Sequence, residues 1–142
     1  MENLLYPKAF ELSNKVISHH KIPICYSCVA STPKLNFSSI EFNRLKDKLY
    51  DIANLKYCIA IYKYQKKNKA QRLVHLLKYQ SKKIGLYFAG EIAQIIENKQ
   101  LKFKYLIALP MHQSKAKRGF NQTKIIANSL SKRIGIPVID KI

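Results

Sequence analysis

Residues 105–122 read Tyr105-Leu106-Ile107-Ala108-Leu109-Pro110-Met111-His112-Gln113-Ser114-Lys115-Ala116-Lys117-Arg118-Gly119-Phe120-Asn121-Gln122. The apolar opening predicts a strand over 105–109, and Asn121 predicts the cap of a helix over 121–134 with Ile126, Leu130 and Ile134 on one face. Gly135 followed by Pro137 is a stop signal, after which Val138 and Ile139 begin another strand. Strand, loop, helix and strand in that order predict a parallel β–α–β unit. Its loop carries Lys115, Lys117 and Arg118 and lies beyond the carboxyl end of the strand, where open α/β sheets bind their ligands. Backbone N–H groups and the positive end of the helix dipole would face an enclosed anion, and phosphate is the natural guest. Arg118 can hold two oxygens at once, Lys115 and Lys117 act as point charges, and Asn121 and Gln122 place amide donors at the helix start. Gly119 allows a conformation or a close approach that a side chain would block. The plainer reading is a basic loop with a turn glycine and a cap; the convergence of every polar feature on one spot favours the anion site.

Working outward, residues 57–62 are rich in aromatic and β-branched side chains and predict a strand. Ala70, Leu73, Val74 and Leu77 predict a helix over 69–79, with Arg72 on its other side, and Ile84, Phe88, Ile92, Ile95 and Ile96 predict a second over 84–97. A shorter helix is expected over 40–56. Residues 1–36, with Pro7, Pro23, Pro33 and a Cys25-x-x-Cys28 pair, read as a small irregular appendage, and 37–142 as part of one α/β domain with a largely parallel sheet.

The chain has 142 residues and a formal net charge of +18. Residues 1–56 hold a net +3 and residues 57–142 a net +15. Such an excess points to a polyanionic partner carried by the second half, although a lysine-rich solvated face would give part of it. No apolar run approaches the roughly 18 residues of a membrane span, so no membrane insertion is expected. The N-terminus lacks a secretory signal, and three cysteines without a disulfide framework fit a reducing, cytoplasmic location. Cys58, inside an apolar run, reads as a small buried residue, and His75 as structural or surface.

Leu109-Pro110-x-His112, Lys115, Arg118-Gly119-Phe120-Asn121-Gln122, Ala127, Leu130 and Gly135-Ile136-Pro137 resemble the ComF family of bacterial phosphoribosyltransferase-like proteins. Tyr62-x-Tyr64, Arg72-Leu73, Leu77-Lys78-Tyr79 and Gly85 extend the likeness, which covers 57–137. The resemblance implies a type I phosphoribosyltransferase-like, Rossmann-like fold and makes Lys115 to Gln122 a pyrophosphate-binding loop. It places Lys78 and Tyr79 beside the site, with Arg72 and His112 as further nucleic-acid contacts; Lys78 and Tyr79 would equally suit the exposed end of an amphipathic helix. It further implies a role in uptake of single-stranded DNA in natural competence, partnership with the competence helicase and related uptake proteins, and Mg2+ accompanying phosphoribosyl diphosphate or pyrophosphate. Tyr57, Tyr62, Tyr64, Tyr79, Tyr87 and Phe120 interleave with lysines, as base-stacking surfaces do, although Tyr57 and Tyr62 read better as core or sheet residues.

The chain departs from the family in two places. It has no Asp-Asp and no Thr-Thr-Gly, the signature that holds the ribose and the 5′-phosphate, so no catalytic residue is assigned and the chain alone is expected to be inactive in phosphoribosyl transfer. It reads as an apparently truncated relative, as part of a phosphoribosyltransferase of nucleotide metabolism whose remaining half lies in a longer frame, or as a non-functional product. Cys25 and Cys28 match one pair of the family's zinc knuckle, but the other pair is missing; tetrahedral zinc needs four ligands, and a degraded knuckle is the favoured reading over a zinc site.

Overall fold

The computed structural model describes residues 24, 26–35, 47–49, 55, 57–79, 82–112, 114 and 119–139. Its elements are α1 (Tyr26–Ala30), α2 (Lys69–Tyr79), α3 (Lys82–Asn98), β1 (Leu106–Ile107), α4 (Gln122–Ile134) and β2 (Val138–Ile139).

The two strands pair in parallel, Leu106 against Val138 and Ile107 against Ile139, with the Leu106 N–H donating to Pro137 O at 2.9 Å. Since α4 lies between them in the chain, the predicted β–α–β unit is present and the architecture is α/β in outline. Gly135 closes α4 in the left-handed conformation at φ 71°, its N–H donating to Ser131 O at 2.9 Å, as a helix-ending glycine does. At the start of α2, Asn68 accepts from Gln71 N at 2.9 Å and the Gln71 side chain takes the Lys67 N–H, a reciprocal local cap.

Helix α3 is central because two sides of it are buried. Ile84 joins Leu73, Leu76, Ile24 and Cys28 in one apolar cluster, flanked by Val29, Tyr62, Leu77, Tyr87 and Phe88. Ala89 and Ile96 join Leu130 in a second, with Ile92, Leu101, Leu106, Ile126 and Ile134 around it. The described part of the N-terminal segment thus shares a core with α2 and α3. Helices α3 and α4 run in the same direction, Gly85 facing Ile125 near their starts and Gly90 facing Arg133 further on. A Cβ at Gly85 would stand 2.7 Å from Ile125 Cγ2, so that glycine is what lets the pair approach.

The strand expected over 57–62 requires correction. Its backbone makes an antiparallel bridge between Tyr62 and Lys34, with Leu35 N donating to Ile61 O at 2.9 Å and Lys63 N to Pro33 O at 3.0 Å. It does not join β1 and β2. β-branched and aromatic residues favour extended backbone, but which neighbour they pair with is a tertiary matter, and here residues 33–35 provide it. The parallel sheet among the described residues is accordingly two short strands, and the strand expected over 105–109 is paired only at Leu106 and Ile107. The helix expected over 40–56 lies outside the described residues except for Leu55 and residues 47–49, which are helical.

Candidate anion-binding loop

The loop between β1 and α4 is closed at its base by one carbonyl. Asn121 Nδ2 donates to Leu109 O at 3.1 Å, while Thr123 Oγ1 lies 2.6 Å from Leu109 O and 2.7 Å from Asn121 Oδ1. A hydroxyl has one proton, so Thr123 serves these two acceptors alternately. Asn121 Oδ1 also accepts from Thr123 N at 3.0 Å and Lys124 N at 3.3 Å, capping α4 as its position predicted. Thr123 was not singled out by sequence, because its partner Leu109 is 14 residues away.

Within the loop, Ser114 N donates to His112 Nδ1 at 3.2 Å, and Ser114 Oγ is 2.9 Å from the same nitrogen. An Nδ1 that accepts an N–H leaves the ring proton of a neutral imidazole on Nε2, and His112 is exposed. Gly119 has φ +75°, and nothing stands within 4 Å of where its Cβ would be. Of its two predicted uses, conformational freedom is therefore the one this position needs. Lys115, Lys117 and Arg118 lie outside the described residues.

Gln122 is buried, and its Nε2 donates to Lys78 O at 3.1 Å. That bond joins the end of α2 to the start of α4 and brings the Lys78 carbonyl to Gln122. Lys82, the first residue of α3, reaches over the Phe120 ring with its ammonium 5.5 Å from the ring centre. Asn121 and Gln122, expected to offer amide donors to an anion, each spend one on a backbone carbonyl. Their side chains build the site; the Thr123 and Lys124 N–H groups go to Asn121 Oδ1 and the Ile125 N–H to Asn121 O, so what the start of α4 offers an anion is chiefly the helix dipole.

The electrostatics favour an anion there. Helix α4 has no acidic residue in its first turn, whereas Lys132 and Arg133 balance its last turn, and neither α2 nor α3 starts with an acid. The positive end of α4 is consequently left uncompensated by carboxylates of its own first turn.

Other predicted residues fall elsewhere. Arg72 lines a shallow cleft of about 440 Å³ with Lys67, Asn68, Lys69, Gln71 and His75, six residues and roughly 9 Å of helix before Lys78. Tyr62 and Tyr87 share a hydrogen bond between their hydroxyls, and Tyr62 also reaches Glu91, which holds Lys34 in an ion pair at 2.6 Å. Burial is the first cause pushing the Tyr62 phenol up to about 12, and burial followed by the Tyr62 contact pushes Tyr87 up as well. These two face inward. Tyr57, read with Tyr62 as a core or sheet residue, is instead exposed, as are Tyr64 and Tyr79. The Tyr79 ring lies against His75 at 4.9 Å between centres.

The chain matches no family model, no curated protein and no solved structure. The α/β outline and the loop therefore stand on this chain's own residues.

Cys28, named with Cys25 as a metal-ligand pair, is buried in the apolar cluster with Ile24, Leu73, Leu76 and Ile84, and Cys25 lies outside the described residues. Among the described residues no three His, Cys, Asp or Glu side chains come together as metal ligands. The two described carboxylates nearest in sequence to the loop, Glu91 and Glu97, both belong to α3. A Mg2+ accompanying pyrophosphate would be held largely by the phosphate oxygens and water, so it places no demand on these carboxylates. What the arrangement offers an anion is the dipole of α4 with the Lys82 ammonium nearby.

Proposed function

We propose that this chain is a ComF-like protein of partial phosphoribosyltransferase-type fold. It binds phosphate or pyrophosphate groups at the loop 110–120 and, through the same surface, single-stranded DNA during uptake in natural competence. The observation that carries this reading is the clasp of Asn121 and Thr123 on Leu109 O. It holds the acid-free start of α4 beyond the carboxyl end of a parallel strand, the position at which α/β proteins take phosphates. The Lys78 carbonyl meets Gln122, Lys82 lies over the half-buried Phe120 ring, and Tyr79 next to Lys78 is exposed; cations beside aromatic rings suit a strand whose bases can stack.

Partners in this setting are the competence helicase and related uptake proteins, in the cytoplasm; no helix among the described residues is long and apolar enough to cross a membrane. Phosphoribosyl transfer is not assigned to the chain, because it has neither Asp-Asp nor Thr-Thr-Gly to hold the rest of the substrate.

Binding of a labelled oligothymidylate, followed by fluorescence anisotropy, tests the reading. Pyrophosphate should displace the strand at lower concentration than chloride of equal ionic strength. Displacement governed by ionic strength alone would remove the phosphate site from the account, and turnover of phosphoribosyl diphosphate by this chain would contradict its lack of catalysis.

A further inference from the structure

A cleft of about 880 Å³ lies between the second half of α3 and the end of α4, at the opposite end of α4 from the anion loop. Its floor is apolar: Ile96 is buried in the cluster around Leu130, and Leu101 and Ile134 pack beside it. Its polar side chains come from three segments, Gln94 and Glu97 on α3, Gln100 and Lys102 on the stretch before β1, and Arg133 on the last turn of α4. Gly90 has no side chain to occupy the space, and the Arg133 guanidinium lies 3.8–3.9 Å from where its Cβ would stand. The guanidinium is thus held across the contact between the two helices, against the middle of α3 and clear of that helix's negative end.

The charges in this cleft are not spent on one another. Arg133, Lys102 and Glu97 line the same space, yet among the described residues none of the three is in an ion pair. Two cations against one carboxylate suit a dianion, and a phosphate monoester is one: the Arg133 fork takes two oxygens and Lys102 adds a point charge. A lone carboxylate ligand would leave one cation unmatched. Gln94 and Gln100 each present amide donors and an acceptor, as the edge of a nucleobase requires, and Glu97 accepts from sugar hydroxyls. The apolar floor suits the face of a ring, and the volume lies within the roughly 300–1,000 Å³ of small-molecule sites. We infer that this cleft binds a nucleoside monophosphate, its phosphate on Arg133 and Lys102 and its base over Leu101 and Ile134. Arg133 stands roughly 16 Å along α4 from Gln122, so the site is separate from the anion loop and does not rest on the reading given to it.

Calorimetric titration of the native chain with adenosine 5′-monophosphate, adenosine and inorganic phosphate tests this. The nucleotide should bind at least about tenfold more tightly than either part, because each part uses only half of the cleft. Arg133→Gln with Lys102→Gln should weaken the nucleotide by at least about tenfold and leave adenosine unchanged. Gln94→Glu, at an exposed helical position, sets a second carboxylate in the cleft and should weaken the nucleotide as well; it decides the matter if the double variant does not fold. Lys115→Ala with Arg118→Ala, which alters the loop and not the cleft, should leave nucleotide affinity as it is. Nucleotide binding no tighter than that of inorganic phosphate, or unmoved by Gln94→Glu, would overturn the inference. So would nucleotide binding lost with the loop substitutions, because the ligand would then belong to the loop.

Discussion

Asn121 joins two functions that can be separated by substitution: its oxygen caps α4, and its nitrogen ties the helix to Leu109. Asn121→Ala removes both and should cost about 1–2 kcal/mol, read as a lower urea midpoint with an unchanged slope. Asn121→Asp keeps the capping oxygens and suits the helix dipole, so it should cost less stability while repelling any anion at the loop. A pyrophosphate titration of the two variants separates these effects: an aspartate variant that bound as well as the native chain would exclude the helix start from the site. The cap was legible because capping acts over two or three residues. The partners of Thr123 and Gln122 were not, since they lie 14 and 44 residues away and are met only after the chain has folded. Tyr62 supplies a pH signature with a definite sign. Its folded value of about 12 lies above the ordinary 10, so an unfolded chain releases this proton first as pH rises. Stability is intact below about pH 10 and is lost progressively toward pH 12. Tyr62→Phe should flatten that part of the stability curve; a loss as steep as in the native chain would assign it to other groups.

Helix α3 contains two glycines with opposite requirements. At Gly85 an added Cβ meets the stiff, β-branched Ile125 at 2.7 Å, whereas at Gly90 its nearest neighbour is the Arg133 guanidinium at 3.8 Å, an ordinary contact. Gly85→Ala should destabilise by about 1–3 kcal/mol through overpacking, even after the gain in helix propensity. Gly90→Ala should stabilise by about 0.5–1 kcal/mol, because only the propensity and chain-entropy terms remain. Thermal melts of the two variants moving in the same direction would contradict this helix packing. Both glycines look alike in sequence, since the difference lies in α4. Helices α2, α3 and α4 were legible from their periodicity and end signals, with bounds shifted by a residue or two, whereas α1 lies in a segment that reads as irregular because five residues show no periodicity. The segment 57–62 was legible only as extended: its composition favours strand geometry, but nothing local shows that its partner is residues 33–35 rather than β1.

Over the whole molecule, the excess of cations in residues 57–142 sets how strongly a polyanion is held and how steeply salt releases it. Apolar cohesion among the described residues is carried by two clusters on two sides of α3, so substitution of the loop cations should change binding without unfolding the chain. The general tendency to bind anions was legible from net charge alone. Convergence of the Lys78 carbonyl, Lys82 and Phe120 on the start of α4 was not, because it depends on how α2, α3 and α4 pack. The most direct test of the central claim is the salt dependence of single-stranded DNA binding by the native chain and by Lys115→Ala with Arg118→Ala. If both cations contact phosphates, the logarithm of affinity should fall with the logarithm of salt concentration by ~0.7 less per lost contact, about 1.4 in all. An unchanged slope, with affinity lost equally at every salt concentration or not at all, would contradict a phosphate-binding loop at 110–120.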